Sequence, residues 1–426
     1  MNAAMALTMG ILFMLGVPIA VGIAMAAVVA IEYFTRLPLL LVAQRMFTGI
    51  DSFTLMAIPF FILAGNLMSA GGISERLVDF AKSIVGGVRG GLACTCVLTC
   101  MIFASVSGSS VATTFAIGAI LIPAMVRDDY PKPFAASVQA SSASLGVLIP
   151  PSIPLILYGV ATETSIGQLF IAGIGPGLVV GIALMVFVHI VARIKGYGER
   201  PAEDRLGVWT AFKRALWALI MPFVVIGGIY GGVFTPTEAS AVAVFYALIV
   251  GMFVYRRLKP RDLPEILRNS MVATSVIMLI IAAAALFSFV LTRAGVPAEI
   301  ARWVTQVFNE GWTFLLAVNV VLLLVGMFIE TSAAIIVLAP ILLPIAVSFG
   351  LDPVHFGMIM VVNLALGMFT PPLGVNMFAA SQVARLPVDR FIIPLLPFVL
   401  VMLACLMIIT YIPFVTLVFR DLLYGG

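Results

Sequence analysis

Long apolar segments recur along nearly the whole chain and constrain its fold more than any other feature. A helix needs about 20 predominantly apolar residues to cross a bilayer. The segments that predict complete spans are residues 5–31, 53–70, 166–192, 215–234, 235–255, 271–292 and 391–419. Only 10% of the 426 residues are charged, whereas soluble domains carry roughly 25%. The sequence therefore predicts an all-α polytopic membrane protein and excludes a soluble globular protein or a nucleic-acid-binding protein.

Two further apolar segments are too long for one span and too short for two. Residues 92–126 are interrupted by the small and polar residues 105–110, and residues 313–347 are interrupted by residues 326–332. Each segment predicts a re-entrant helical hairpin whose tip ends inside the membrane. Unpaired N–H and C=O groups are costly in hydrocarbon, so non-helical backbone at that depth is expected to line a polar cavity or bind a ligand.

The segment after each hairpin carries a glycine that is followed four residues later by a Pro-Pro pair. The two segments are residues 134–160, with Gly146, Pro150 and Pro151, and residues 355–380, with Gly367, Pro371 and Pro372. Adjacent prolines remove two backbone donors and clash with the preceding helical turn. Each segment therefore predicts a broken transmembrane helix.

The hairpin and the broken helix form an internal repeat at a constant offset of 221 residues, which relates Gly146 to Gly367 and Ser110 to Thr331. We expect two repeated halves that each cross the membrane four times, joined by one further span that inverts the second half. The predicted units are residues 1–214 for the first half, 215–234 for the inverting span and 235–426 for the second half.

The basic residues support this inverted arrangement. If the loop between Arg193 and Arg214 faces the cytoplasm, most of the 23 Lys and Arg residues also lie on the cytoplasmic side. Cytoplasmic loops of membrane proteins carry such an excess of positive charge. Inverted repeats with paired hairpins and broken helices are typical of secondary transporters whose binding site lies near the middle of the membrane.

Uncharged oxygen atoms dominate the predicted site. They are the hydroxyl groups of Ser107, Ser109, Ser110, Thr331 and Ser332 at the two tips and the opened carbonyl groups near Ile149 and Thr370. Such oxygen ligands suit Na⁺, and helix N-termini at the tips would also attract an anionic substrate. A single Ser/Gly cluster is more often a close-packing face between helices, so the recurrence of the cluster at both tips supports the site.

Two charged residues have several interpretations. Glu330 is the one carboxylate near a predicted tip, and it would be a proton carrier, an ion ligand or a side chain that reaches a water-filled mouth. Arg45 would bind a substrate carboxylate or anchor a helix end at the membrane surface. The sequence has no G-x-x-x-x-G-K-[ST] motif for ATP, so the energy is expected to come from an ion gradient.

Several separate motifs resemble the large membrane subunit of tripartite ATP-independent periplasmic (TRAP) transporters. The motifs are residues 44–47, 51–53, 57–68, 107–110, 149–154, 231–239 and 370–374, in order along essentially the whole chain. The resemblance implies Na⁺-driven import of an organic acid, such as a C4-dicarboxylate, sialic acid or another sugar acid, by an elevator mechanism. It also implies a multi-pass protein of the bacterial inner membrane, without enzymatic activity, that works with a small four-helix membrane subunit and a soluble periplasmic substrate-binding protein.

The resemblance also assigns residues position by position. The implied Na⁺ ligands lie at Ser107, Gly108, Ser109 and Ser110 with Gly146, and at Thr331 and Ser332 with Gly367 and Thr370. The residues implied beside the substrate are Arg45, Ser110, Thr113 and Ser332. Many members of the family carry an aspartate where this chain has Thr113, so a mechanism that needs a carboxylate there is in doubt.

Three alternative functions stay open at this point. A stand-alone Na⁺/dicarboxylate symporter of the same architecture would need no partner subunits. An intramembrane serine protease would use Ser107, but His189 and His355 are expected near span ends, and an enzyme would have no reason to repeat the tip at Ser332. An ion channel would conduct without coupling to a substrate.

Overall fold

The chain is described by a computed structural model over residues 1–198, 206–308 and 310–425. Arg200 and Arg205 of the predicted cytoplasmic loop lie outside the described residues. Among the described residues, nine helices are long and apolar enough to cross a membrane. The pair Lys132–Leu148 and Ile153–Thr162, bent by 41°, would add a tenth span. These helices agree with the predicted all-α polytopic fold.

The first part of the chain contains a helix pair and a broken helix, which together carry its predicted site residues except Arg45. The helices before residue 199 are α1 (Asn2–Met14), α2 (Ile19–Phe34), α3 (Leu40–Ile50), α4 (Ala57–Ala70), α5 (Ile73–Val85), α6 (Gly91–Ser107), α7 (Ser110–Arg127), α8 (Lys132–Ser142), α9 (Leu145–Leu148), α10 (Ile153–Thr162) and α11 (Ile166–Lys195), with a 3₁₀ turn at Phe53–Met56. We call α6 and α7 the first helix pair, residues 107–110 the first tip and residues 149–152 the first break.

The second part of the chain also contains a helix pair followed by an interrupted helix. The later helices are α12 (Val208–Tyr230), α13 (Pro236–Ile249), α14 (Leu263–Arg293), α15 (Val296–Val307), α16 (Gly311–Phe328), α17 (Thr331–Ser348), α18 (Pro353–Gly367), α19 (Val375–Ala384), α20 (Asp389–Tyr411) and α21 (Phe414–Tyr424), with a π-helical turn at Val250–Val254 and a 3₁₀ turn at Pro260–Asp262. We call α16 and α17 the second helix pair, residues 329–332 the second tip and residues 368–374 the second break.

The first predicted span, residues 5–31, is wrong as a single helix. Gly16 adopts a φ of +75°, which ends α1, and Pro18 precedes the first residue of α2. A left-handed glycine with a proline two residues later reverses the chain, and α1 and α2 pack against each other. The apolar stretch that follows forms α3, which has no buried residue and packs along α14.

Local capping explains several helix starts. Thr235 accepts a hydrogen bond from the Glu238 N–H, and the Glu238 carboxylate accepts one from the Thr235 N–H, which makes a complete capping box. The amphipathic helices α5 and α15 each begin after a left-handed glycine, Gly72 at φ +75° and Gly295 at φ +72°. Local sequence therefore sets where these three helices begin.

The two helix pairs pack reciprocally around the breaks. The second helix of the first pair, α7, packs against α19, and the second helix of the second pair, α17, packs against α10. The first helix of each pair packs against its own broken helix, α6 against α8 and α9, and α16 against α18. Nearly all side chains of α8, α9 and α18 are buried. The first tip and the first break therefore lie largely in the interior of the protein, whereas Pro372 and Leu373 of the second break are exposed.

Candidate functional site

The first tip joins α6 to α7 in a tight turn that rests on the first break. Gly108 has a φ of +62°, and a Cβ at this residue would lie 2.8 Å from the Pro151 carbonyl oxygen. The Gly108 carbonyl accepts a hydrogen bond from the Ile153 N–H at 3.3 Å. Ser109 caps α7 by accepting from the N–H three residues later at 3.4 Å. Only glycine fits the turn at Gly108 without strain.

Three oxygen atoms cluster at the first tip. Ser107 Oγ lies 3.0 Å from Thr113 Oγ1, and Thr113 Oγ1 donates to the Ser109 carbonyl at 2.8 Å. The Ser107 hydroxyl donates to the same carbonyl at 3.4 Å. Gly146 lies directly against the cluster, because a Cβ there would be 2.7 Å from both the Ser109 carbonyl oxygen and Thr113 Oγ1. The structure thus brings together residues that were predicted from distant parts of the sequence.

The second tip is organised by Glu330. Its carboxylate caps α17 by accepting hydrogen bonds from the N–H groups of Ser332 at 2.9 Å and Ala333 at 3.3 Å. It also accepts a hydrogen bond from the Ser332 hydroxyl at 2.9 Å. A helix cap was not among the roles predicted for this residue. The neighbouring Thr331 hydroxyl is buried and has no hydrogen-bond partner among the described residues.

The second break lies against the second helix pair through two glycines. A Cβ at Gly326 would be 3.2 Å from the Gly367 Cα, so the backbones of α16 and α18 are in direct contact. Within the break, the Thr370 hydroxyl donates to the Leu366 carbonyl at 2.7 Å. The Gly367 carbonyl accepts from the Thr370 N–H at 3.0 Å. In the described part of the chain, both hydrogen bonds therefore stay within the broken helix, and neither reaches Thr331 or Ser332 of the second tip.

One contact links the first tip to the second break. The Ser110 hydroxyl donates to the Met368 sulfur at 3.3 Å, and the Met368 carbonyl accepts from the Asn376 N–H at 2.8 Å. Asn376 is 0% exposed, and neither its amide nitrogen nor its amide oxygen has a hydrogen-bond partner among the described residues. Sequence reasoning missed Asn376. The available signal was a carboxamide in the first turn of the half-helix that follows the Pro-Pro pair.

Arg45 lies apart from these contacts. It is exposed on α3, and its guanidinium carbon lies 4.0 Å from the centroid of the Phe289 ring on α14. In the described part of the chain, no hydrogen bond or ion pair joins Arg45 to either tip. This geometry is a cation–π contact between two helices, and a role beside the substrate stays a prediction.

A groove of about 740 Å³ follows the seam between α7 and α19. Phe115 and Ala119 line it on α7, and the basic residues Arg127, Lys132 and Arg385 line its other end. The Lys132 ammonium group donates to the Arg385 carbonyl at 3.3 Å. We call this surface the basic groove.

A known protein family matches this chain over nearly its whole length. The family described as "Tripartite ATP-independent periplasmic transporter, DctM component" matches residues 6–415 of this chain. The match extends over both helix pairs and both breaks.

Relatives with curated names point to the same family. The C4-dicarboxylate TRAP transporter large permease protein DctM of Pseudomonas aeruginosa is 49% identical over 378 residues, which cover 88% of each chain. The sialic acid TRAP transporter large permease protein SiaM of Vibrio cholerae is 36% identical and is matched over 98% of this chain and 97% of its own length. The isethionate TRAP transporter permease protein DctMQ of Oleidesulfovibrio alaskensis is 45% identical, and the match covers 95% of this chain and 64% of that protein.

Solved structures with similar folds are also transporters. The YdaH transporter of Alcanivorax borkumensis superposes with a TM-score of 0.63 and 14% identity, and the match covers 90% of this chain and 88% of that one. MtrF of Neisseria gonorrhoeae superposes with a TM-score of 0.61 and 15% identity over 92% of each chain. At this identity the likeness concerns the fold alone.

Proposed function

The chain belongs to the DctM component family of tripartite ATP-independent periplasmic transporters, and from that premise we propose that it couples Na⁺ entry to the import of an organic acid. It is a multi-pass membrane permease subunit and not an enzyme. Relatives are named for C4-dicarboxylate, sialic acid and 2,3-diketo-L-gulonate. These names support an organic anion as the substrate class.

The observation that carries the Na⁺ proposal is the cluster of uncharged oxygen atoms at the first tip. The first set contains Ser107 Oγ, the Ser109 carbonyl and Thr113 Oγ1. For the second set we propose the buried Thr331 hydroxyl, which has no partner among the described residues, together with oxygen atoms of Gly367 and Thr370. Unwound carbonyl groups and hydroxyls at broken helices are the usual ligands of a coupling Na⁺ in secondary transporters.

Reciprocal packing supports an elevator mechanism. Because α7 packs on α19 and α17 packs on α10, both tips and both breaks form one interlocked unit. Such a unit would move as one body against α14, which packs on α2 and α3. A bifunctional crosslinker between cysteines introduced at Ser288 of α14 and Ile336 of α17, which line one cavity, is expected to stop transport. If transport continues at full rate when the crosslinker has reacted with both introduced cysteines, the elevator motion is ruled out.

The partners follow from the family. We expect a small four-helix membrane subunit beside this chain and a periplasmic binding protein that delivers the substrate, with the complex in the bacterial inner membrane. The experiment reconstitutes the chain with both partners in proteoliposomes and measures uptake under an inward Na⁺ gradient. Uptake by this chain alone, without either partner, would favour a stand-alone symporter, and Na⁺-independent conductance would favour a channel.

Substitutions at the oxygen sets test the Na⁺ assignment. Ser107→Ala and Thr331→Ala each remove one ligand oxygen, so the Na⁺ concentration for half-maximal uptake should rise. Thr331→Ser keeps the hydroxyl and is the matched control for Thr331→Ala. If Na⁺ dependence is unchanged in both alanine variants, the two-set assignment is wrong.

A further inference from the structure

We propose that the Asn376 carboxamide and the Ser110 hydroxyl together bind an acid group of the transported anion. The proposal rests on the proposed transport of an organic acid and names residues that would contact it. Its starting point is the fully buried Asn376 side chain, whose amide atoms have no partner among the described residues. A buried amide without partners is costly, so such a side chain in a native protein calls for an explanation, and a ligand is one.

The packing of α7 on α19 places the Asn376 and Ser110 side chains at the same height along the two helices. The helices run parallel, because Ser110 contacts Met368 just before α19 and Gly118 lies beside Val383, whose Cγ1 would be 3.4 Å from a Cβ at Gly118. Asn376 is seven residues before Val383, almost two helical turns, and therefore lies on the same face of α19. Seven or eight residues before Gly118 on α7 lies its first turn. The Asn376 side chain thus faces the first turn of α7, where Ser110 lies.

This position suits an anion. The amide nitrogen of Asn376 and the hydroxyl of Ser110 are hydrogen-bond donors. The N-terminus of α7, an 18-residue helix, adds the positive end of its dipole. The present partner of the Ser110 hydroxyl is a thioether sulfur, which is a weak acceptor. A carboxylate or sulfonate oxygen would be a stronger acceptor for both donors.

Because the Asn376 and Ser110 donors are uncharged, the binding of the substrate anion should depend on the nearby Na⁺. Ser110 lies one residue from Ser109, whose carbonyl belongs to the first oxygen set. An acid group bound by an amide and a hydroxyl keeps its full negative charge, so a Na⁺ ion at the adjacent set would stabilise it electrostatically. The geometry therefore predicts that the anion binds tightly only with Na⁺ in place, which is a requirement for coupled transport.

The test uses the complete complex, reconstituted with its small subunit and binding protein. The probes are succinate, N-acetylneuraminate and isethionate, and the one that the wild-type complex takes up is used further. Asn376→Leu keeps the side-chain size and removes the amide, while Asn376→Asp places a negative charge against the anion. We expect uptake at saturating substrate-loaded binding protein to fall roughly tenfold to a hundredfold in both variants, as for the loss of a hydrogen bond to a charged group.

Two further measurements separate this role from a structural one. The Na⁺ concentration for half-maximal uptake should change little in Asn376→Leu, and Asn376→Ser, which keeps a donor, should restore part of the uptake. Asn66→Leu is the matched control, because it removes a part-buried amide that is already bonded to Ser270 at 2.8 Å. Its uptake per folded complex should stay within about twofold of wild type, because Asn66 bonds to Ser270 of α14 and not to Ser110 or Asn376, and because dividing by the amount of folded complex removes any loss of stability.

The outcomes are distinct. If the Asn376→Leu complex takes up the anion at the wild-type rate, the inference is wrong and the proposed function still stands. A large change in Na⁺ half-activation with an unchanged maximal rate would overturn it too, because Asn376 would then act on the cation. If the wild-type complex takes up none of the three acids under a Na⁺ gradient, it is the proposed function that fails.

Discussion

Gly326 and Gly367 hold the second helix pair and the second broken helix in backbone contact. A Cβ added at Gly367 would lie 2.6 Å from the Gly326 Cα, and one added at Gly326 would lie 3.2 Å from the Leu364 Cα. Small residues at helix crossings allow such close approach in membrane proteins. The contact sets the distance between the second tip and the carbonyl groups of the second break, so it controls the geometry of the candidate Na⁺ site.

We therefore expect Gly367→Ala to separate α16 from α18. Overpacking of this kind costs about 1–3 kcal/mol, and the displaced carbonyl groups should also raise the Na⁺ concentration for half-maximal uptake. Thermal unfolding of the purified complex and Na⁺ titration of uptake measure the two effects. Gly227→Ala is the control, because no heavy atom lies within 4 Å of a Cβ there. Equal melting temperatures and equal Na⁺ dependence for both variants would contradict the expectation.

The breaks could be predicted from the sequence because their causes are local. Pro150-Pro151 and Pro371-Pro372 interrupt helices wherever they stand, and Gly108 permits the left-handed turn at the first tip. The reversal after α1 depends on an equally local signal at Gly16 and Pro18, and it was overlooked inside a long apolar run. Hydropathy alone does not distinguish one long span from two short paired helices.

The candidate site was harder to predict because its contacts join distant parts of the chain. Gly146 lies against Ser109, which the resemblance assigned to the same Na⁺ set, and against Thr113, which it assigned to the substrate; the ligand roles of these residues stay predictions. In contrast, side-chain packing in three dimensions decides that the Asn376 amide has no hydrogen-bond partner among the described residues and that Glu330 caps α17. A single apolar run carries no information about which of its polar groups will find a partner.

Glu330 provides a test of that capping role. Its carboxylate binds two N–H groups and the Ser332 hydroxyl, so Glu330→Gln keeps one acceptor oxygen and should retain Na⁺-dependent uptake. Glu330→Ala removes the cap and should destabilise the complex by about 1 kcal/mol. Uptake rates measured across pH separate the roles. Loss of uptake in Glu330→Gln with a normal melting temperature would favour a proton carrier or an ion ligand instead.

The basic groove should act on the anion by long-range attraction. Arg127 and Arg385 lie at its basic end, and clefts lined by one sign of charge raise the local concentration of an opposite ion. Replacing both with Gln should slow substrate counterflow about tenfold at low ionic strength, with little difference at high ionic strength. Counterflow is measured at fixed Na⁺ while a choline salt sets the ionic strength. Arg268→Gln, an exposed arginine that is 4.0 Å from Glu265, is the control; an equal effect there would exclude a specific role for the groove.

Asp352 and Arg420 tie the C-terminal helix α21 to the start of α18. The Arg420 guanidinium donates to the Asp352 carboxylate at 2.6 Å, and the same carboxylate accepts from the N–H groups of Val354 at 2.8 Å and His355 at 3.1 Å. Burial raises the pKa of Asp352, but the hydrogen bonds from Arg420 and the two N–H groups outweigh it and hold the pKa below its ordinary value of 3.8.

This lowered pKa predicts how stability depends on pH. A carboxyl group whose folded pKa is below its unfolded value stabilises the protein above the unfolded pKa, and this contribution is lost as the pH falls through the folded pKa. Arg420→Gln should therefore lower the free energy of unfolding near neutral pH by about 1 kcal/mol, as for a partly exposed pair, and the difference from wild type should shrink as the pH falls below 3.8 and through the lowered pKa of Asp352. Melting of the purified complex across pH measures this, with Glu265→Gln at an exposed pair as the control. A melting difference that persists undiminished in acid would show that Arg420 stabilises α21 by packing and not through the Asp352 charge.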